Sequence, residues 1–162
     1  MIRGELVLVP IVQVGCPVPD FTLPASDGSD VSLGDFRGKK LVLFFYPRDL
    51  TPTCTAEACD FRDNYAKFQQ AGAEVAGISP DSVTSHRKFV EKHRLPFLLL
   101  ADEERKVCEM FGVWQPKKMY GRTFTGVVRS TFLIDENGVL QREWRNVRLK
   151  DHIRQVWEAA TL

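Results

Sequence analysis

The sequence predicts an α/β fold with a mixed β-sheet covered on both faces, and three observations carry that prediction. The apolar runs Leu41–Tyr46 and Ala73–Ser79 read as buried strands. Helical patterns over residues 52–71, 82–93 and 151–160 alternate with strands. The chain then closes with two strands, Val127–Ile134 and Val139–Trp144, around the turn sequence Glu136-Asn137-Gly138. Strands alternating with helices and ending in a hairpin fit a sheet layered between helices. The 162 residues carry no repeat, linker or low-complexity tract, so a single domain over 1–162 is expected.

Each element has its own signal. Phe21-Thr22-Leu23 and Val31-Ser32-Leu33 flank a cluster of turn residues from Ala25 to Asp30 and form a hairpin. Leu41–Tyr46 is a central strand that breaks at Pro47. The helix over 52–71 has Thr51 as N-cap, Pro52 at its first position and Gly72 as its stop. Ala73–Ser79 is the next strand, and a helix capped by Asp81 or Ser82 runs to His93. Phe97–Leu100 is a short buried strand. Asp102 caps a further helix with Glu103 and Glu104 in its first turn and Gly112 at its end. Residues 113–126 read as a basic, aromatic loop. In the closing helix Ile153, Val156, Trp157 and Ala160 share one face.

Composition narrows the function classes. Hydrophobic content of 44% and charged content of 27% are ordinary for a globular protein. Twenty-two basic against 21 acidic residues leave a net charge of +1, which gives no electrostatic case for nucleic-acid binding. Four cysteines are too few for a disulfide scaffold and fit a redox or catalytic thiol in a reducing compartment. His86, His93 and His152 are scattered, without metal-ligand spacing, so neither metal nor cofactor is expected. The apolar stretch Leu6–Val14 contains Pro10 and is far shorter than the roughly 20 residues of a membrane span. Gln13 is the wrong residue for a lipoprotein cleavage site at Cys16. The stretch reads as a leading strand, and a cytoplasmic protein is expected.

The chemistry concentrates in Pro47-Arg48-Asp49-Leu50-Thr51-Pro52-Thr53-Cys54-Thr55-Ala56-Glu57-Ala58-Cys59. With Thr51 as N-cap, Cys54 falls in the first turn of a helix, where free N–H groups and the positive end of the dipole favour a thiolate. Ala58, Phe61, Tyr65 and Phe68 continue the face that Cys54 begins. Cys59 lies on another side, with Thr55, Arg62 and Asp63. Five residues of ideal helix separate two Cα atoms by roughly 8.7 Å. A disulfide needs about 7 Å or less. Cys54 and Cys59 therefore cannot bond within an intact helix, and pairing them requires its first turns to unwind.

Pro47, Thr51 and Cys54 in the pattern Pro-x-x-x-Thr-x-x-Cys resemble the active-site motif of the peroxiredoxins. The longer string from Phe45 to Asp63 resembles the bacterioferritin comigratory, or Q-type, branch. Further likeness lies in Val14-Gly15 with Pro19-Asp20-Phe21-Thr22-Leu23, in Ser79 to Val83, and in His86 to Phe89. It continues in Gly112-Val113-Trp114, Tyr120-Gly121-Arg122 and Arg129 to Asp135, so the resemblance covers most of the chain. Thr53 stands where the branch usually has glycine, Cys16 where it is usually polar, and Val18 where it usually has alanine. Residues 1–13 look like an added N-terminal piece.

The resemblance implies a thioredoxin-like fold and a thiol peroxidase without a prosthetic group. Cys54 would attack the peroxide O–O bond and become a sulfenic acid. Thr51 is both an N-cap and a group whose hydroxyl can meet the thiolate and peroxide. Pro47 ends the strand and, by resemblance, shields the thiolate. Arg129, read as lying within an apolar strand, needs a partner there and would stabilise the Cys54 charge. Glu57 would orient Arg129 or would simply be a solvated helix charge. Cys59 is the candidate resolving thiol, Cys108 packs in the core, and Cys16 is structural or exposed. Thioredoxin as reductant and a monomeric state follow from the family. Two other classes are weaker. A protein thiol–disulfide oxidoreductase would show Cys-x-x-Cys, which is absent. A non-catalytic thioredoxin-like module has no need for Pro47, Thr51, Cys54 and Arg129 together.

Overall fold

The computed structural model describes residues 12–162. A two-stranded hairpin, β1 (Thr22–Pro24) and β2 (Asp30–Ser32), precedes the central strand β3 (Lys40–Phe45). Then follow α1 (Pro52–Asp63), α2 (Tyr65–Gln70), β4 (Ala73–Ser79), α3 (Val83–His93), β5 (Leu98–Ala101) and α4 (Lys106–Met110). The chain ends with β6 (Trp114–Met119), β7 (Arg122–Val127), β8 (Ser130–Ile134), β9 (Leu140–Arg145) and α5 (His152–Ala160). The main sheet has the order β5-β4-β3-β8-β9. The β3, β4 and β5 strands run parallel, whereas β8 is antiparallel to β3 and β9 to β8. This is the mixed, helix-flanked α/β sheet of a thioredoxin-like fold.

The alternation of β3 explains why the sheet is covered twice. Successive side chains of a strand point to opposite faces. Leu41, Leu43 and Phe45 belong to one core with Ile78, Phe111 and Phe132. Val42, Phe44 and Tyr46 belong to the other, with Phe61, Phe68, Phe89 and Val156 from α1, α2, α3 and α5. An apolar residue at every position is the mark of a strand buried on both faces. Phe44 stacks on Phe61 with ring centroids 4.6 Å apart, which fixes α1 against β3. In β4, a Cβ at Gly77 would come within 2.8 Å of both Phe44 and Leu99, so glycine lets β4 lie between those side chains.

Four elements differ from expectation. The helix expected over 52–71 is two helices, broken at Asn64 (φ −110°, ψ 6°). The Asn64 side-chain amide donates to the Asp60 carbonyl at 2.8 Å, the acceptor that helical continuation would have given to the Asn64 backbone. The helix expected from Asp102 starts at Lys106, because Arg105 adopts a left-handed conformation (φ 63°). Glu103 and Glu104 thus sit in the preceding turn, while the buried Asp102 carboxylate still accepts from the Val107 and Cys108 N–H groups. The expected loop 113–126 is the antiparallel hairpin β6–β7. The strand expected over Val127–Ile134 is interrupted, so Arg129 lies in the break between β7 and β8 rather than within a strand. The Ser130 hydroxyl donates to the Val128 carbonyl there. Smaller shifts place the fifth strand at Leu98–Ala101 and the last at Leu140–Arg145. The expected leading strand over Leu6–Val14 lies mostly outside the described residues, and residues 12–14 are not in a strand.

Candidate active site

Sheet register explains how residues 75 positions apart meet. Phe45 at the end of β3 pairs with Ser130 at the start of β8. The loop leaving β3 and the residue entering β8 therefore occupy the same edge of the sheet. That loop carries Pro47 to Thr51 and leads into α1. Arg129 precedes Ser130 and reaches the first turn of that helix.

Thr51 has the extended backbone of an N-cap (φ −85°, ψ 155°), and Pro52 is the first helical residue. The Thr51 carbonyl accepts the first helical bond, from Thr55 N–H at 2.8 Å. Its hydroxyl does not cap the helix as expected; it donates to the Arg48 carbonyl at 2.9 Å. Cys54 is 2% exposed, in the first turn. One guanidinium nitrogen of Arg129, Nη2, donates to Cys54 Sγ at 3.3 Å. The other, Nη1, donates to Glu57 Oε1 at 2.6 Å.

Glu57 is not a solvated helix charge: it is fully buried. Three residues after Cys54, it lies on the same inward face of α1 and meets Arg129. Burial pushes the Glu57 carboxyl up to about 7, against the pull of Arg129. Its second oxygen, Oε2, has no hydrogen-bond partner. Burial alone would lower the Arg129 pKa, but Glu57 and Cys54 lift it above the usual value, so the guanidinium stays charged. A buried acid, a fixed guanidinium and a thiol thus form one electrostatic unit.

The loop behind Cys54 is held by a second set of groups that the sequence did not single out. The Asp49 carboxylate is buried and accepts from the Tyr46 hydroxyl at 2.6 Å and the Ser85 hydroxyl at 2.7 Å. Its Oδ2 also faces His86 Nδ1 at 2.8 Å. The opposite ring nitrogen of His86 faces the Leu100 carbonyl at 3.0 Å. The Asp49 N–H donates to Asp81, which in turn accepts from the Ser79 hydroxyl. Burial and Asp49 push the Tyr46 hydroxyl well up, keeping it a donor. Leu50, next in the loop, has a left-handed backbone (φ 63°). The local clue in the sequence was a buried strand ending in Tyr46 with an acid three residues on.

Two further groups lie within electrostatic reach of Arg129. Lys117 on β6 donates to the Val127 carbonyl at 2.9 Å. Burial and Arg129 lower its pKa while Cys54 raises it, which puts its charge within reach of both. His152 is buried, bonds Thr131 Oγ1 at 2.8 Å and meets Phe61 and Trp144 edge-on. Burial, then Arg129, push His152 down to about 4, so it is neutral near pH 7.

Cys59 stands apart. It is half-buried in the same unbroken helix as Cys54, with its Sγ 3.9 Å from His93 Nδ1. All four cysteines are free, Cys108 is buried beside Asp102, and Cys16 is exposed. Thr53 is exposed.

Comparison with known proteins agrees with this architecture. The model for the AhpC/TSA family matches residues 14–143. Peroxiredoxin Bcp of Bacillus subtilis is 51% identical over 144 residues, covering 89% of this chain and 92% of that protein. Peroxiredoxin Bcp of Escherichia coli is 41% identical over 141 residues, covering 87% and 90%. Among solved structures, peroxiredoxin Q of Xanthomonas campestris superposes with a TM-score of 0.82 at 38% identity, covering 86% of this chain and 89% of that one. The bacterioferritin comigratory protein of the same organism, described for its alkyl peroxide reduction activity, gives the same TM-score, identity and coverage. This chain belongs to the AhpC/TSA family, within its Q-type or bacterioferritin comigratory branch, and is a peroxiredoxin, a thiol-dependent peroxidase.

Proposed function

We propose that Cys54 is the peroxidatic thiol of a two-cysteine cycle that reduces hydrogen peroxide and organic hydroperoxides. The observation that carries this is the Arg129 guanidinium, which donates to Cys54 Sγ at 3.3 Å while anchored on Glu57. A fixed cation beside a first-turn cysteine stabilises the thiolate and the charge that shifts along the O–O bond. The Cys54 sulfur attacks one peroxide oxygen, an S–O bond forms, the O–O bond breaks, and the leaving oxygen departs as water or alcohol. Thr51, whose hydroxyl has lone pairs to spare after donating to Arg48, receives a hydrogen bond from the incoming peroxide. Pro47, half-buried at the mouth of the loop, keeps water from the sulfur. Glu57 is a positioning residue for Arg129. Organic hydroperoxides are included because of the alkyl peroxide reduction described for the Xanthomonas campestris neighbour.

In the second half of the cycle Cys59 attacks the Cys54 sulfenic acid, giving an intramolecular disulfide and water. Because both cysteines lie in the 12-residue α1, that step requires local unwinding. A dithiol reductant, thioredoxin or a similar protein, restores both thiols. By resemblance to the family, the chain acts as a single-domain monomer in the cytoplasm. Separately, no helix among the described residues is long and apolar enough to cross a membrane. Mass spectrometry of the peroxide-treated, unreduced protein tests the cycle. A Cys54–Cys59 link is expected; a Cys54–Cys108 or intermolecular link overturns the resolving assignment. Peroxide consumption with thioredoxin should vanish in Cys54→Ser, and its persistence overturns the role of Cys54.

A further inference from the structure

Resting on that assignment of Cys59, we propose that His93 is the acid–base partner of the resolving thiol. The last turn of α3 packs against the side of α1 that carries Cys59. His93 Nδ1 lies 3.9 Å from Cys59 Sγ, and both groups are half-buried. The ring is set edge-on against Phe89, with centroids 5.6 Å apart, which limits its rotation. Arg62 fixes the two helices at this point. Its Nη1 donates to the His93 carbonyl at 2.8 Å and its Nε to Asp63 at 2.9 Å. Arg62, paired with Asp63, is a charged group beside the pair, and its guanidinium interacts electrostatically with Cys59. Nothing in the binding of peroxide at Cys54 needs this arrangement, which sits on another side of the helix.

The chemistry follows from these contacts. With its proton on Nε2, the His93 ring offers Nδ1 as a base, and the Cys59 S–H gives it a proton. This transfer occurs while α1 is intact, the only state in which the two side chains are known neighbours. When the first turns unwind, Cys59 reaches Cys54 as a thiolate, the form that attacks sulfur. An S–S bond forms as the S–O bond of the sulfenic acid breaks. The oxygen leaves as hydroxide and is protonated to water by the imidazolium or by solvent. The only oxidant required is the peroxide already spent on Cys54.

The test separates this proposal from the cycle it rests on. In a Cys54→Ser background no disulfide can form at Cys54, so Cys59 reactivity is read without peroxide. Iodoacetamide alkylation is followed against pH by peptide-resolved mass spectrometry, which distinguishes Cys59 from the exposed Cys16. His93→Gln is expected to lower the Cys59 alkylation rate at pH 7 by about tenfold. Arg62→Met should produce a smaller effect. In the otherwise unchanged chain, His93→Gln should slow disulfide closure after a peroxide pulse by a similar factor. Identical alkylation profiles with and without His93, or an Arg62→Met effect larger than that of His93→Gln, overturn the proposal. Failure of the two-cysteine cycle would show instead as a disulfide at another position.

Discussion

The two cysteines of α1 occupy opposite kinds of environment. Cys54 is buried and bound to Arg129, itself paired with the buried Glu57. Cys59, five residues on, is half-buried beside a histidine and within electrostatic reach of Arg62, itself one-third exposed. The first environment is assembled from α1 and the break before β8, the second from the facing ends of two helices. On the proposed cycle, the thiol that must be ready before substrate arrives is the one held by groups that cannot move independently. On the same proposal, the thiol that must travel is the one held by contacts that water can replace.

The largest contrast is expected from replacing each cysteine. Cys54→Ser should reduce peroxide consumption to background. Cys59→Ser should preserve one turnover, leaving a Cys54 sulfenic acid that dimedone traps. Equal loss of the first turnover in both variants would break the distinction. Next comes Arg129→Ala, expected to slow the first turnover about 10²-fold to 10³-fold, the scale for removing one donor from a site of developing charge. It also strands Glu57 inside the protein, with a stability loss of about 3 kcal/mol in urea titration. Asp49→Ala should cost about 3 kcal/mol as well, by leaving Tyr46, Ser85 and His86 without their shared acceptor.

A subtler effect lies in pH. Glu57 has a folded pKa of about 7, raised by burial from the ordinary 4.5. The folded chain therefore binds the Glu57 proton more tightly than the unfolded chain. That contribution is fully present below about 4.5 and fades as pH rises towards 7. His152 acts in the opposite sense. Its pKa is depressed to about 4 from 6.5, so its contribution is lost as pH falls through that window. The two slopes oppose each other across their overlap. Glu57→Gln removes one of them, and stability should then rise with pH between about 4.5 and 6.5 more steeply than in the parent. An unchanged slope would place the Glu57 carboxyl in water rather than in the core. The smallest effect belongs to the exposed side: Arg62→Ala should change stability by no more than about 1 kcal/mol.

Much of the site was legible because it is local. Thr51, Pro52 and Cys54 lie within four positions, and an extended Thr51 followed by proline at the first helical position sets the thiol at the helix start. The strands β3 and β4 declare themselves through unbroken apolar runs. Arg129 and Glu57 were identifiable as residue types, but their contact depends on the Phe45–Ser130 register, a long-range pairing that no local pattern encodes. The Asp49–His86 contact spans 37 positions in the same way. His152 has no local signal beyond its isolation in the sequence, yet it lies inside the core, where burial and Arg129 keep it neutral. The breaks at Asn64 and Arg105 were missed because helical periodicity continues through both. Only the side-chain amide of Asn64 and the left-handed turn at Arg105 interrupt the backbone.

The interruption at Asn64 carries a mechanical consequence. A continuous helix from Pro52 to Gln70 would be one cooperative rod, and melting its front would pull on Phe68 and the sheet beneath it. With the rod severed, α2 has its own hydrogen bonds and its own anchor in the core. Loss of order in α1 can then stop at residue 64, as a tear stops at a seam. On the proposed cycle, the helix whose first turns open is twelve residues long, and the rest of the molecule can remain a rigid frame to which it returns.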